Sequence, residues 1–215
     1  MEKSVYSLVL MDDVVAAVDR LAYSEGASRS AMVNRILAEY TGYATPQQRI
    51  QDIFKAVSDI LDSQSVLQPM LSASDAMLAM RSALQYKYNP SLRYTVELYP
   101  QWGQSMGILR ASLRTQNPNL MLYLGQFYKL WQKLEAACLP GPARVSEAGG
   151  ARYTRQLLTP QGMSAAEVGN AIADYVRLFD DCLKTFFDRL DQPADAPRAV
   201  RDVYTRGLTE AAAQL

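Results

Sequence analysis

Apolar and polar positions alternate along residues 4–10, "SVYSLVL", with Tyr6, Leu8 and Leu10 on one side and Val5, Ser7 and Val9 on the other. This period of two, in a stretch rich in β-branched residues and bounded by "MDD", predicts a short strand. The period then lengthens to that of a helix. Val14, Val15, Val18, Leu21 and Ala22 share one stripe, and Asp12 and Asp13 stand at the positive helix start. Glu25-Gly26 closes this helix, since glycine takes a left-handed C-terminal position at little cost. Ser28 caps a second helix with Met32, Val33, Ile36, Leu37 and Tyr40 on its apolar face and Gly42 at its end. One strand and two short helices cannot bury that much apolar surface, and a lone strand leaves an unpaired edge. The segment therefore predicts a dimer.

Beyond the short connection "YATP", Thr45 and Pro46 open a helix reaching about Ser63, with Ile50, Ile53, Phe54, Val57, Ile60 and Leu61 on one face. A further helix is expected over 73–87. The pattern then returns to a period of two. "LRYTVELYP" aligns Tyr94, Val96 and Leu98, and "MGILRASLRT" aligns Leu109, Ala111 and Leu113 with Arg110, Ser112 and Arg114 opposite. The intervening "PQWGQS" carries turn residues, so these two runs predict an antiparallel hairpin. Arg110 and Arg114 read first as solvated charges and second as a grip on an anionic ligand or a DNA backbone. Asn117-Pro118 starts a helix over 117–139 bearing Leu120, Leu124, Phe127, Tyr128, Trp131 and Leu134, an aromatic stripe that reads as core. Residues 140–162, rich in glycine and proline, read as a long loop. Its Arg144, Arg152, Tyr153 and Arg155 mark it either as disordered or as the cover of a ligand or partner site. Ser164 caps a helix to about Leu190, and a last helix is expected over 197–213. The expected fold is mainly α: a β-α-α segment over residues 1–44, then a helical domain over 45–215 with one β-hairpin.

Composition narrows the chemistry. The 215 residues include no histidine, which removes imidazole metal sites and the Ser-His-Asp and Cys-His arrangements. Cys138 and Cys182 lie in apolar helical patterns and read as packing residues in a reducing compartment. There is no glycine-rich phosphate loop, and the adjacent carboxylates Asp180 and Asp181 diverge on a helix. No enzyme, no cofactor and no metal is expected. No apolar run approaches the ~20 residues needed to span a bilayer, and the N-terminus lacks a signal-peptide cleavage site, so a cytoplasmic protein without membrane contact is expected. Basic and acidic residues balance at 22 each, and residues 1–45 carry four basic against six acidic side chains. That balance argues against generic, charge-driven binding to nucleic acid.

"SLVLMDDVVAAVDRLAYSEGASRSAMVNRILAEY" resembles the ribbon-helix-helix DNA-binding family, which includes the Arc, MetJ and CopG repressors. The resemblance covers about residues 4–42, a fifth of the chain; its marks are the alternating strand, "DRLA" before Glu-Gly, and "SRSAMVNRIL". It implies that two chains pair their strands into an antiparallel ribbon that enters the major groove of double-stranded DNA. The outward ribbon positions are then Val5, Ser7 and Val9, with Lys3 as an extension. Ser28, Arg29 and Ser30 at the start of the second helix would anchor a phosphate. The sequence departs from the family's habit of placing Arg, Lys, Thr or Asn on the ribbon, since valine meets only apolar features such as a thymine methyl. The implied function is a sequence-specific transcriptional repressor, acting as a homodimer or tetramer. Its second domain would take a small-molecule or protein effector, or strengthen assembly. A dimeric scaffold that has lost DNA binding is the alternative. An antitoxin is disfavoured by the long folded extension, and nickel sensing by the missing histidines.

Overall fold

The computed structural model describes residues 5–62, 67–139, 141 and 144–215. The chain forms two compact units, Met1–Arg49 and Ile50–Leu215.

In the first unit, α1 (Asp12–Ser24) and α2 (Arg29–Thr41) pack through Val18, Ala22 and Met32. Ser28 caps α2 by accepting from the Ala31 N–H at 3.2 Å, and Gly42 ends it in the left-handed region at φ 68°. Residues 5–11 form no strand. The expected β-α-α unit is thus corrected: the first unit is a helix pair preceded by an unpaired segment. Strand formation requires a partner for the backbone N–H and C=O groups, and residues 5–10 find none among the described residues.

The second unit overturns the expectation of a helical domain with one hairpin. It holds a six-stranded antiparallel sheet in the order β1-β2-β3-β4-β6-β5. The strands are β1 (Gln68–Met70), β2 (Met77–Ala83), β3 (Ser91–Leu98), β4 (Ser105–Leu113), β5 (Val145–Gly149) and β6 (Arg152–Leu158). The expected hairpin is β3 and β4, at the centre of this sheet. The helix expected over 73–87 is strand β2: Met80 and Ser82 are buried while Arg81 between them is exposed, the alternation of a strand in a run of helix-forming residues. The expected loop 140–162 contains the β5–β6 hairpin, turning at Gly150 with φ 53°.

One sheet face is covered by helices. Register places Met80, Tyr94, Ala111 and Tyr153 in one row across four strands, all buried. Against this face lie α4 (Pro118–Cys138), opened by the Asn117 side chain, and α5 (Ala165–Phe187), opened by a Ser164–Glu167 capping box. Phe179 of α5 contacts Tyr94 and Tyr153 of the sheet and Phe127, Tyr128 and Trp131 of α4. The part of α3 (Pro46–Asp62) that belongs to this unit runs close to α5. A Cβ on Gly169 would stand 2.6 Å from the Ala56 Cβ and 2.7 Å from the Ile53 carbonyl oxygen, so only glycine allows that approach. The last expected helix is two, α6 (Ala196–Gly207) and α7 (Glu210–Gln214).

Candidate functional site

The candidate residues of the first unit divide by what already holds them. Lys3 lies outside the described residues. Val5 and Val9 are 98% and 102% exposed, and Ser7 is exposed as well. Tyr6, Leu8 and Leu10, expected on the inner side, are less exposed, at 82%, 61% and 45%, but none of them is buried.

At the start of α2, the Ser28 hydroxyl is engaged as the cap, and the Arg29 and Ser30 N–H groups have no acceptor among the described residues. Arg29 donates from Nε and Nη2 to both carboxylate oxygens of Asp19, at 2.6 and 2.5 Å. The hydrogen bonds from Arg29 hold the Asp19 carboxyl below its usual range, and Asp19 raises Arg29 in turn. A second exposed pair, Arg35–Glu25, repeats the same ten-residue spacing across the turn. Both tie α1 to α2. A phosphate at this helix start would have to compete with Asp19 for the guanidinium, a role for Asp19 that periodicity alone did not suggest. Exposed pairs of this kind are weak and exchange readily.

The densest polar chemistry of the second unit is buried, and sequence reasoning missed its centre. Glu135 lies on α4 one turn after Trp131. Its Oε1 accepts from Arg155 Nε at 2.9 Å and from the Tyr175 hydroxyl at 2.8 Å, and its Oε2 accepts from the Tyr153 hydroxyl at 2.8 Å. Trp131 Nε1 donates to the Tyr175 oxygen at 3.0 Å, and the Arg155 guanidinium sits 4.1 Å from the Tyr175 ring centre. Burial drives the Tyr153 and Tyr175 hydroxyls far above their usual range, so both remain neutral donors. Arg155 is fully buried, yet its Nη1 and Nη2 have no hydrogen-bond partner among the described residues.

Beside Glu135 a cleft of about 600 Å³ opens between the end of α4 and β5, lined among others by Gln132, Leu139, Arg144, Val145 and Glu147. Arg144 reaches the Leu215 and Ala213 carbonyls, at 3.1 and 3.3 Å. Burial, followed by the like charge of Arg155, lowers its pKa. Of the four residues singled out in 140–162, Arg144, Tyr153 and Arg155 thus gather around Glu135, while Arg152 points to the other face of the sheet near Glu147. A smaller buried cluster joins Asp180 to Ser82 at 2.9 Å, Tyr94 at 2.8 Å and Lys184 at 2.6 Å. Asp180 is buried and its neighbour Asp181 exposed, so the two point apart.

Cys182 is buried and its thiol is pushed up to about 12 by burial, whereas Cys138 is exposed. Among the described residues no group of three or more acidic or cysteine side chains is placed to hold a metal ion. Nor is any helix long and apolar enough to cross a membrane. Comparison with protein-family models, curated proteins and solved structures finds no match for this chain.

Proposed function

We propose that this chain is a homodimeric, sequence-specific DNA-binding regulator, a repressor, whose first unit is completed by a second copy of itself. One observation carries the dimer. Of the sixteen large apolar side chains exposed among the described residues, thirteen lie between Val5 and Tyr43, while Val18, Ala22 and Met32 alone form that unit's buried cluster. A unit this small cannot offset its ordering entropy on so little burial. Exposed apolar side chains crowd residues 5–11 and the outer faces of α1 and α2, and a second copy of this unit would cover them.

The DNA-binding half of the reading rests on the family resemblance and on the exposed start of α2. There, free N–H groups, Ser30 and Arg29 present donors and charge to a phosphate. The cleft beside Glu135 and Arg144 has the size and mixed lining of a small-molecule site, which suits an effector. The Arg29–Asp19 pair favours the second reading, a dimeric scaffold without DNA binding.

Fluorescence anisotropy on the DNA upstream of the protein's own gene separates the two. The regulator reading expects sequence-preferring binding that weakens linearly on a log–log salt plot. It also expects a loss of about tenfold or more in the Arg29→Ala, Ser30→Ala variant. Binding that is absent, or indifferent to salt and sequence, assigns the chain to the scaffold class.

A further inference from the structure

The sheet of the second unit has a helix-covered face and an opposite one, and two rows of the opposite face carry mainly arginine and hydroxyl side chains. Directly paired residues of neighbouring strands point to the same side. Register therefore places Arg81 of β2, Arg93 of β3, Ser112 of β4 and Arg152 of β6 in one row. With strands about 4.8 Å apart this row is about 14 Å long. The next row toward the other end of β4 sets Arg110 between Thr95 and Thr154. Four guanidiniums and three hydroxyls thus share two adjacent rows of a chain whose net charge is zero.

The carboxylates on this face answer only part of that charge. Glu97 pairs with Arg110 at 2.8 Å, and Glu147 stands 3.9 Å from Arg152. Arg81 donates to the neutral side chain of Gln68 at 2.9 Å. Among the described residues the Arg93 side chain has no ion-pair or hydrogen-bond partner. Arg81 and Arg93 stand directly opposite each other, an arrangement that costs stability because like charges face across the ladder. Placing two cations in register, with one neutral amide beside Arg81 on its far side, is poor design for a solvated sheet face and good design for a face that meets an anion.

We propose that this sheet face binds the phosphate backbone of duplex DNA without reading its sequence. Arg81 and Arg93 would be the principal contacts, and Arg110, Arg152, Thr95 and Ser112 supporting donors. The chemistry of the face selects this occupant. Guanidinium and hydroxyl groups are the side chains that contact phosphate oxygens. A single-stranded nucleic acid would call for aromatic platforms on which bases stack, and these two rows hold no aromatic residue. The inference rests on the DNA-binding reading above but concerns a different unit and a different kind of contact.

The test is anisotropy of the full chain with a random-sequence 30-base-pair duplex over a salt series, comparing wild type with Arg81→Gln, Arg93→Gln. The wild type should bind with a steep negative salt slope. The double variant should lower the magnitude of that slope by about 2 and weaken binding about tenfold or more at low salt. Arg81→Lys, Arg93→Lys should keep most of the slope. Arg81 and Arg93 are both exposed, so circular dichroism of each variant should match wild type. An unchanged slope in the glutamine variant overturns the proposal, as does a wild type that binds heparin but not the duplex. Preference for the DNA upstream of the protein's own gene would belong to the first unit, with Arg29 and Ser30 as its phosphate anchors, and should survive the sheet variant. If that preference is missing while the sheet-dependent slope is present, the operator reading fails and this one stands.

Discussion

Replacing Glu135 by alanine is expected to destabilise the second unit by about 3–5 kcal/mol, the cost of breaking a buried ion pair by removing one partner. Among the described residues the Glu135 carboxylate is the sole acceptor for Arg155 Nε and for the Tyr153 and Tyr175 hydroxyls. Its loss leaves a fully buried guanidinium without a hydrogen bond among the described residues, since Nη1 and Nη2 have none there in the wild type. Two buried hydroxyls lose their acceptor at the same time. The midpoint of thermal unfolding should fall by roughly 10 °C or more for a unit of this size. Arg155→Met should cost less, because Glu135 keeps two tyrosine donors and a methionine fills part of the vacated volume. The double variant Glu135→Leu, Arg155→Met should recover part of the Glu135→Ala loss, as apolar replacements of buried ion pairs often do. Urea unfolding followed by tryptophan fluorescence measures all three. A loss below about 1 kcal/mol for Glu135→Ala would mean that water already shares this cluster.

Phe179→Ala should be comparably severe, at about 3–5 kcal/mol. The ring is 1% exposed and lies between the sheet and α4, with five aromatic rings around it at centroid distances of 4.9 to 6.5 Å. Several of these contacts are edge-to-face, which adds to the area term. Removing the ring takes away the common partner of Trp131, Tyr153 and Tyr94, so the near-ultraviolet dichroism should lose intensity even where the fold survives. Leu122→Ala, on the same layer of helices but 59% exposed, should stay within about 0.5 kcal/mol of wild type. Equal effects of the two substitutions in urea unfolding would contradict the placement of the core.

The elements that were legible in the sequence are those where local signals and tertiary packing agree. Asn117-Pro118 and Ser164 mark helix starts by their own chemistry, and the stripes that follow them are the buried faces of α4 and α5. Tyr94, Val96 and Leu98, with Leu109, Ala111 and Leu113, alternate as β3 and β4 require, and all six are buried. Strand β2 was hidden because alanine, methionine and leucine are good helix formers, and only pairing with β3 makes the run a strand. β5 was hidden for a different reason: its residues are almost all exposed and two are small, so an edge strand shows no alternation. The Glu135 cluster was illegible because a buried glutamate looks like a solvated one until its partners are known. Its only mark was a position one turn beyond Trp131 on the aromatic face. The Arg29–Asp19 pair is similar, since a ten-residue spacing across a turn has meaning only once the two helices are packed. Residues 5–10 are the reverse case. Their alternation reads as a strand, yet they find no backbone partner among the described residues and form none.

The central claim is that the first unit is completed by a second copy, and molar mass from light scattering tests it most directly. Across micromolar concentrations the wild type should elute near twice the 23.9 kDa of one chain. Leu8→Asp, Leu37→Asp, which charges two exposed positions of that unit, should return it to the mass of a single chain. A wild type that stays at 23.9 kDa throughout, or a dimer indifferent to both substitutions, would contradict the account.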